Sequence, residues 1–371
     1  MKIAFIDVTT TVSYGGVQTA VWQLAVALTD LGHEVHVYGG SGKLEPDLAG
    51  REVHIHRFSF TPRERVLDLG SRFQRLVERW SFSRHARQHF IAQHFDWAVL
   101  TKPFDFFWPR LMPKQHRTRF AFMSGGTDFI RGDRKLAQGI SAWLACSNFN
   151  AWQLQHHFKR FPTVMFNGVD TAVFHPQDGS EARATLGLNP QDIVIGFAGR
   201  LVGWKGLSVA VQALADSRLH CHPVKLLIVG DGEERSRLAE LAKKLGVAER
   251  LIMPGACAHA QLPKLYAACD MGVFPSIGDE AFGITIAEAM SCGLPVVASY
   301  IGGIPEVVGN EGGSGLLFTP GHAQDLADQL LTLIEQPELR ARMGRVARQR
   351  IERMFTWRMA AQRLLKVLES H

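Results

Sequence analysis

The chain has 371 residues, of which 46% are apolar and 20% are charged, and its mean hydropathy is close to zero. This composition is typical of a globular protein of about two domains, and it excludes disordered, collagen-like, coiled-coil and multi-span membrane proteins. The net charge of +6 belongs to the first half: residues 1–170 carry 21 Lys and Arg against 14 Asp and Glu, whereas residues 171–371 carry 20 against 21.

Short apolar and β-branched runs alternate with helical patterns along the chain, which predicts an α/β architecture with parallel sheets. The strands predicted for the first half are residues 2–8, 34–39, 52–58, 96–100, 119–123, 142–146 and 163–166. Those predicted for the second half are residues 192–199, 224–230, 251–255, 271–275, 295–299 and 315–318. Each half opens with a hydrophobic strand and a glycine-bearing loop, so we predict two Rossmann-like units joined by the turn-rich segment NGVDTAVFHPQDGS.

The loop after the first strand carries Gly15 and Gly16 directly before a helical pattern. Backbone amides and the positive end of a helix can receive a phosphate at such a place, and the missing side chains allow close approach. A plain strand-to-helix turn is the alternative, because the loop is not a G-x-G-x-x-G motif.

The segment RERVLDLGSRFQRLVERW (63–80) sorts at about 100° per residue into an apolar arc and a basic arc. The apolar arc comprises Val66, Leu69, Phe73, Leu76, Val77 and Trp80, and the basic arc comprises Arg65, Arg72, Arg75 and Arg79. We expect the apolar arc to pack on the sheet. The arginines are expected either to contact an anionic membrane or a phosphorylated acceptor, or to cover the edge of the packed stripe with their stems. The aromatic residues are not interleaved with the arginines, so we expect no nucleic-acid partner.

In the second half, the strand at 192–199 leads into GRLVGWKG, which places Arg200 and Lys205 on one short loop. Ligands of open α/β sheets bind at the carboxyl ends of strands. A planar guanidinium group and a compact ammonium group together suit a diphosphate. The alternative is a pair of solvated surface charges.

The segment PSIGDEAFGITIAEAMSCGLPVVAS places Glu280 in a loop and Glu288 in a helix expected to begin near Phe282 or Gly283. This spacing puts one carboxylate at the helix entrance and the other about two turns in, so both can reach hydroxyl groups of one extended ligand. The free amides at the helix start suit an anion. A capping charge at Glu280 and an exposed helix residue at Glu288 are the alternatives.

These segments resemble the family-4 retaining glycosyltransferases, also called glycosyltransferases group 1. Further matching segments are FAGRLVGWKG, IVGDGEERSRLAELAKKLGV, FNGVDTAVFHP, GGIPEVV and the YGG loop near the start. The resemblance implies a GT-B fold, in which two Rossmann-like domains with parallel sheets face each other across a cleft. Residues 1–168 would form the acceptor side, 169–352 the nucleotide-sugar side, and 353–371 a terminal helix that crosses back to the first domain.

The resemblance also implies roles for individual residues. Arg200 and Lys205 would hold the pyrophosphate, Glu288 the ribose hydroxyls and Glu280 the hydroxyls of the transferred sugar. The amides of Phe282 and Gly283 would complete the phosphate site, which the Gly15–Gly16 loop would approach from the other domain.

The family histidine near the donor sugar has no counterpart here, because the matching stretch FMSGGTDFIRGD carries Asp128 instead. Some relatives that act on lipopolysaccharide core resemble this chain in having an acid there. Asp128 is therefore predicted either to act at the donor sugar or to be a turn residue.

The implied function is retaining transfer of a hexose from a nucleotide-sugar, by preference a UDP-sugar, to a glycan or lipid-linked acceptor. Cell-envelope polysaccharide or lipopolysaccharide synthesis is the implied setting. The alternatives are a non-catalytic nucleotide-sugar-binding protein, and a nucleotide-sugar epimerase or phosphorylase on the same fold. A cytoplasmic location is expected, with peripheral attachment to the inner face of the membrane left open.

No cofactor or metal is expected from the sequence. The chain has no D-x-D pair and no H-E-x-x-H motif. Its five scattered cysteines form no C-x-x-C pair, which argues against a zinc site and a disulfide framework and favours a reducing compartment.

Overall fold

The computed structural model describes residues 1–13, 15–126, 129 and 132–371. These residues form two compact units, one of Met1–Gly168 with Trp357–His371 and the other of Val169–Thr356. Each unit is built on one parallel sheet, and every predicted strand is present with ends that differ by a few residues. The strands are correctly predicted because nearly all are continuous apolar runs, as expected when helices cover both faces of a parallel sheet.

The described residues of the first unit form a seven-stranded sheet in the order β3-β2-β1-β4-β5-β6-β7. Its strands are β1 (Lys2–Ile6), β2 (Glu34–Gly40), β3 (His54–Phe58), β4 (Trp97–Leu100), β5 (Arg119–Ser124), β6 (Ala142–Ala145) and β7 (Thr163–Val164). Its first five helices are α1 (Gly16–Asp30), α2 (Ser71–Gln93), α3 (Trp108–Leu111), α4 (Asp133–Leu136) and α5 (Asn148–Phe158). The strand order reverses between β1 and β4, and the loop that carries Gly15 and Gly16 follows β1.

The second unit holds a six-stranded sheet in the order β10-β9-β8-β11-β12-β13. Its strands are β8 (Ile193–Ala198), β9 (Val224–Val229), β10 (Leu251–Gly255), β11 (Met271–Phe274), β12 (Val296–Ser299) and β13 (Gly315–Phe318). Its helices are α6 (Ser180–Thr185), α7 (Leu207–Leu214), α8 (Arg235–Lys244), α9 (Leu262–Ala267), α10 (Ile284–Ser291), α11 (Ile304–Val308), α12 (Ala323–Glu335) and α13 (Pro337–Met354). Here the strand order reverses between β8 and β11, which is where ligands of such sheets bind.

The last helix, α14 (Trp357–Glu369), belongs to the first unit and packs against α1. It begins at Trp357 and not at residue 353, where the terminal helix is predicted to start. Its buried side chains recur at helical spacing and include Trp357, Ala361, Leu364 and Leu368. In the described ranges, no helix combines the length and the hydropathy needed to cross a bilayer.

The predicted apolar arc of 63–80 does not pack on the sheet, so that prediction is wrong. Gly70, at a φ of 95°, precedes α2, which begins only at Ser71. The face of α2 that packs inward is instead Glu78, Arg79, Phe82, Ser83, Ala86 and Phe90. The predicted arc therefore faces solvent in large part. Its exposed large side chains are those of Leu69, Phe73, Leu76 and Trp80, and the neighbouring Leu67 is exposed as well.

Arg79 is buried, which corrects its assignment to a surface that contacts a membrane or an acceptor. Its Nη2 donates to Asp7 Oδ1 at 3.0 Å, and its Nη1 donates to Asp105 Oδ2. Thr101 Oγ1 donates to the other oxygen of Asp7 at 2.6 Å. Burial opposes ionisation of Asp7, but the Arg79 charge and hydrogen bonds from Thr101 and Thr9 lower the pKa of Asp7 to about 2. Burial raises the pKa of Asp105 to about 7, and repulsion from Asp7 adds to the rise. The single guanidinium group of Arg79 is shared between the two carboxylates, so its charge does not offset this rise.

The other three arginines of the predicted basic arc differ in exposure. Arg65 and Arg72 are exposed, in agreement with a surface role. Arg75 is partly buried and lies over the ring of Phe104, 5.9 Å from its centroid.

Candidate functional site

Two loops at the carboxyl edge of the second sheet pack directly on each other. The first follows β8 and contains Arg200 and Lys205, and the second follows β11 and contains Glu280. The carbonyl oxygen of Trp204 accepts hydrogen bonds from the amides of Ile277 and Gly278 at 2.8 and 3.2 Å. Gly206 has a φ of 66°, and a Cβ there would overlap the carbonyl oxygen of Pro275. Glycine at this position therefore lets the two loops meet.

Lys205 and Glu280 form an ion pair between these loops, with side chains only 15% and 17% exposed. Lys205 Nζ also lies 4.4 Å from the centre of the Trp204 ring. The backbone carbonyl of Glu280 accepts a hydrogen bond from the amide of Gly303 at 2.7 Å, which anchors its loop to the GGIPE segment. An ammonium group has three N–H donors, so Lys205 can hold Glu280 and still bind an anion.

Arg200 follows β8 after a single glycine, and its side chain is exposed. The structure thus places it on the predicted loop, at the same sheet edge as Lys205. The alternative of a solvated surface charge fits the exposure of Arg200, but it does not fit Lys205, which is enclosed.

Glu288 lies in α10 and is only 3% exposed, so the alternative of an exposed helix residue is excluded. Its Oε1 lies 2.6 Å from His259 Nε2. Its Oε2 is buried and has no hydrogen-bond partner among the residues that the structure describes. A buried carboxylate oxygen without a donor is costly, and a hydroxyl group of a ligand would satisfy it.

His259 is a further site residue, which no motif in the sequence predicts. It lies in the short helix His259–Gln261, and its ring packs on Phe174 with centroids 5.0 Å apart. Burial disfavours its charged form, but the hydrogen bond and negative charge of Glu288 raise the pKa of His259. The contact with His259 therefore fixes the orientation of the Glu288 carboxylate.

The start of α10 supplies backbone donors at the same edge. Gly283 precedes the helix with a φ of 93°, and the amide of Ile286 is the first to bond within the turn, to Gly283 O at 3.1 Å. The earlier amides of a helix have no intrahelical acceptor and attract anions. Phe282 is buried and packs edge-on against Phe355, with centroids 5.6 Å apart, so its side chain fixes the helix start.

The remaining predicted residues lie in the first unit. Gly16 is the first residue of α1, and Gly15 precedes it. The loop before them is held by Gln18, whose Nε2 donates to Thr9 Oγ1 at 2.6 Å. Asp128 lies outside the described residues, so its role stays a prediction.

Two family models match consecutive parts of the chain. Residues 14–173 match the model described as Glycosyltransferase Family 4. Residues 178–350 match the model described as Glycosyl transferases group 1. Together they cover most of both units, although neither includes Trp357–His371.

Among curated proteins, the chain is 33% identical over 241 residues to the D-inositol 3-phosphate glycosyltransferase of Segniliparus rotundus. That alignment covers 63% of this chain and 53% of the relative, so the chain spans about half the length of the curated protein it matches.

Two solved structures match over almost all of both chains. Anabaena Alr3699/HepE in complex with UDP and glucose is 26% identical, with a TM-score of 0.82 and 100% coverage of both chains. WaaG, a glycosyltransferase involved in lipopolysaccharide biosynthesis, is 18% identical, with a TM-score of 0.73 and coverage of 98% and 99%. The match to WaaG concerns the fold alone, and both matches agree with the predicted GT-B fold class. By these two family models, which together span residues 14–350 apart from 174–177, the chain belongs to the group 1 glycosyltransferases of family 4.

Proposed function

We propose that this chain is a glycosyltransferase that transfers a hexose from a UDP-sugar to a glycan or lipid-linked acceptor. The observation that carries the proposal is the buried Oε2 of Glu288, which has no partner among the described residues. It lies at a sheet edge that also holds Lys205 and the start of α10. A nucleoside diphosphate sugar has ribose hydroxyls and a diphosphate, and this edge offers an acceptor for the former and donors for the latter. The complex of Anabaena Alr3699/HepE with UDP and glucose supports the choice of donor.

The chemistry to be catalysed is the departure of a diphosphate. The bond from the anomeric carbon to the phosphate oxygen breaks, a bond from the acceptor oxygen to that carbon forms, and the acceptor proton passes to a phosphate oxygen. Negative charge grows on the diphosphate in the transition state. Arg200, Lys205 and the amides at the start of α10 would stabilise it without a metal ion.

The two glutamates would have different roles. Glu288 Oε2 would accept a hydrogen bond from a ribose hydroxyl, while His259 holds its Oε1. Glu280 would accept hydrogen bonds from the transferred sugar while its ion pair with Lys205 holds it in place. Retention of the anomeric configuration follows from the family resemblance and is part of the proposal.

The acceptor would lie on the side of the first, basic unit. The name of the relative from Segniliparus rotundus supports a phosphorylated polyol as one acceptor class. WaaG is described as a glycosyltransferase involved in lipopolysaccharide biosynthesis, which agrees with a proposed role in envelope glycan synthesis. Because the alignment covers only 53% of the curated relative, the acceptor is proposed at the level of its class.

We expect UDP to raise the melting temperature of the chain more than GDP or ADP does. We expect Glu288→Gln to weaken UDP binding about tenfold to hundredfold, as for loss of a hydrogen bond to a charged group. The measurement is a thermal-shift series followed by calorimetric titration. Glu240→Gln, at an exposed position of α8, is the matched control and should bind UDP normally.

The same panel separates this proposal from its alternatives. If no nucleoside diphosphate stabilises the chain, the proposed donor site is wrong. If UDP-sugars bind but neither transfer nor donor hydrolysis occurs with any acceptor tested, the non-catalytic alternative is favoured. Conversion of one UDP-sugar into another would identify an epimerase.

We also propose that the first unit binds anionic membranes through an apolar-basic surface on and before α2. Its apolar part comprises Leu67, Leu69, Phe73, Leu76 and Trp80, each more than a third exposed. Its exposed cations include Arg65, Arg72 and Arg84, and Arg84 lies 5.1 Å from the centre of the Trp80 ring. Apolar side chains flanked by arginines suit the interface of a bilayer that contains acidic lipids.

We expect the chain to sediment with vesicles that contain phosphatidylglycerol and not with pure phosphatidylcholine vesicles. Trp80→Ser combined with Leu69→Ser should reduce the bound fraction at least about tenfold, because both lose apolar contact. Trp152→Ser removes another exposed tryptophan, on α5, and should leave binding unchanged. Equal binding by the double variant would contradict the proposed surface.

A further inference from the structure

A group of histidines lies on the edge of the first sheet, in the sequences EVHVY on β2 and HIHRF on β3. Successive side chains of a strand point to opposite faces, so Glu34 and His36 share one face and His54 and His56 share one face. The parallel register pairs His36 with His54 and Tyr38 with His56. The four side chains therefore meet on the same face of two neighbouring strands.

Three of these side chains have the geometry of a metal site. Single ligand atoms of Glu34, His36 and His54 all lie within 4.8 Å of one another. Glu34 Oε1 lies 2.9 Å from His36 Nε2, and the rings of His36 and His54 have centroids 4.4 Å apart. Within the part of the chain that the structure describes, this is the one such group of three potential ligands. We propose that it binds a divalent transition-metal cation, with Zn²⁺ as the best match to its nitrogen and carboxylate donors.

His56 supports this assignment by orienting His36. The Nδ1 of His36 lies 2.8 Å from the Nε2 of His56, so one of these two nitrogens carries the shared proton. When His36 donates it, the lone pair of its Nε2 is directed towards Glu34 and is available to a metal. Metal-bound histidines usually donate their other N–H to an acceptor in this way. His36 is itself only 4% exposed, so its ring is held in place.

The cation now beside Glu34 is Lys2. Its Nζ lies 3.0 Å from Glu34 Oε1 and 3.0 Å from Gln93 Oε1. Zn²⁺ would compete with this ammonium group for the carboxylate. Because Glu34 is exposed, water can reach the fourth position of a tetrahedral site.

The site would link β3, at the edge of the sheet, to β2. It lies in the first unit, on residues that take no part in the donor site proposed above, so it goes beyond the proposed function. The sequence motifs for metal ligands do not include this site, because His54 joins Glu34 and His36 only through the pairing of β2 with β3.

The test uses the full chain, freed of metal by a chelator and then titrated with Zn²⁺ in a calorimeter and in thermal unfolding. We expect one Zn²⁺ per chain and a rise in melting temperature. Co²⁺ should bind with visible absorption typical of a four-coordinate site. His54→Gln and Glu34→Gln should each weaken Zn²⁺ binding by at least about tenfold, whereas Lys2→Met should tighten it by about tenfold because a competing charge is lost.

His220→Gln removes an exposed histidine of the second unit and is the matched control for histidine content. Two independent ligand variants keep the test valid if one of them does not fold, as judged by circular dichroism. Absence of saturable Zn²⁺ binding, or a His54→Gln affinity equal to that of His220→Gln, would overturn the site. UDP binding, measured in parallel, is expected to be independent of Zn²⁺, so failure here leaves the proposed function intact.

Discussion

Replacement of Lys205 by Met is expected to lower kcat for sugar transfer by about 10²–10³-fold, the effect of removing one preorganised donor from a developing oxyanion. Lys205 is enclosed at the sheet edge, and Glu280 together with the Trp204 ring fixes its position. Its ammonium group thus needs little reorganisation when charge grows on the diphosphate. The measurement is the initial rate of UDP release with the donor that binds best.

Two further variants separate catalysis from structure. Lys244→Met removes an exposed lysine of α8 and should keep full activity. The double variant Lys205→Met with Glu280→Gln removes both charges of the pair, so it should regain any stability lost in Lys205→Met but none of the rate. Recovery of rate in the double variant would show that the pair has only a structural role.

Replacement of Arg79 by Met is expected to destabilise the first unit by about 3–5 kcal/mol, because Asp7 and Asp105 would remain buried without their cation. Neutral hydrogen-bond donors such as Thr101, which bonds to Asp7, would remain, but they do not balance the negative charge. Hydrogen exchange of amides in β1 and β4 measures the loss within this unit. The free energy of opening should fall there and not in the second sheet.

Arg72→Met is the matched control, since Arg72 lies on the exposed side of the same helix. We expect its effect to stay within about 0.5 kcal/mol. A similar loss in both variants would mean that α2 depends on arginine stems in general and not on the buried ion cluster.

The sequence predicts the strands of both sheets and the loops that carry Lys205 and Glu280, because these depend on local patterns. Continuous apolar runs identify buried parallel strands, and the spacing from Glu280 to Glu288 fits the observed helix start. His259 is different, since it is 29 residues from Glu288 and meets it only through the tertiary fold. The nearby sequence gives no sign of that contact.

The face of α2 was predicted incorrectly for a related reason. Helical periodicity of apolar residues does not distinguish an arc that packs on the sheet from one that stays exposed. In addition, the predicted helix runs through Gly70, whereas α2 begins at Ser71. The residues that do pack include Arg79, whose burial depends on Asp7 and Asp105 in distant segments. Whether an arginine side chain is exposed or buried therefore depends on partners in distant segments, which the local sequence pattern does not contain.

The place of α14 has a consequence for the biosynthesis of the chain. This helix packs against α1 and buries Leu364 and Leu368, although it is made after the entire second unit. Residues 1–168 therefore leave the ribosome without part of their core and must wait for 357–371. During that interval, the face of α1 that α14 covers in the complete fold lacks its partner. We therefore expect the second unit to be the first that can finish folding.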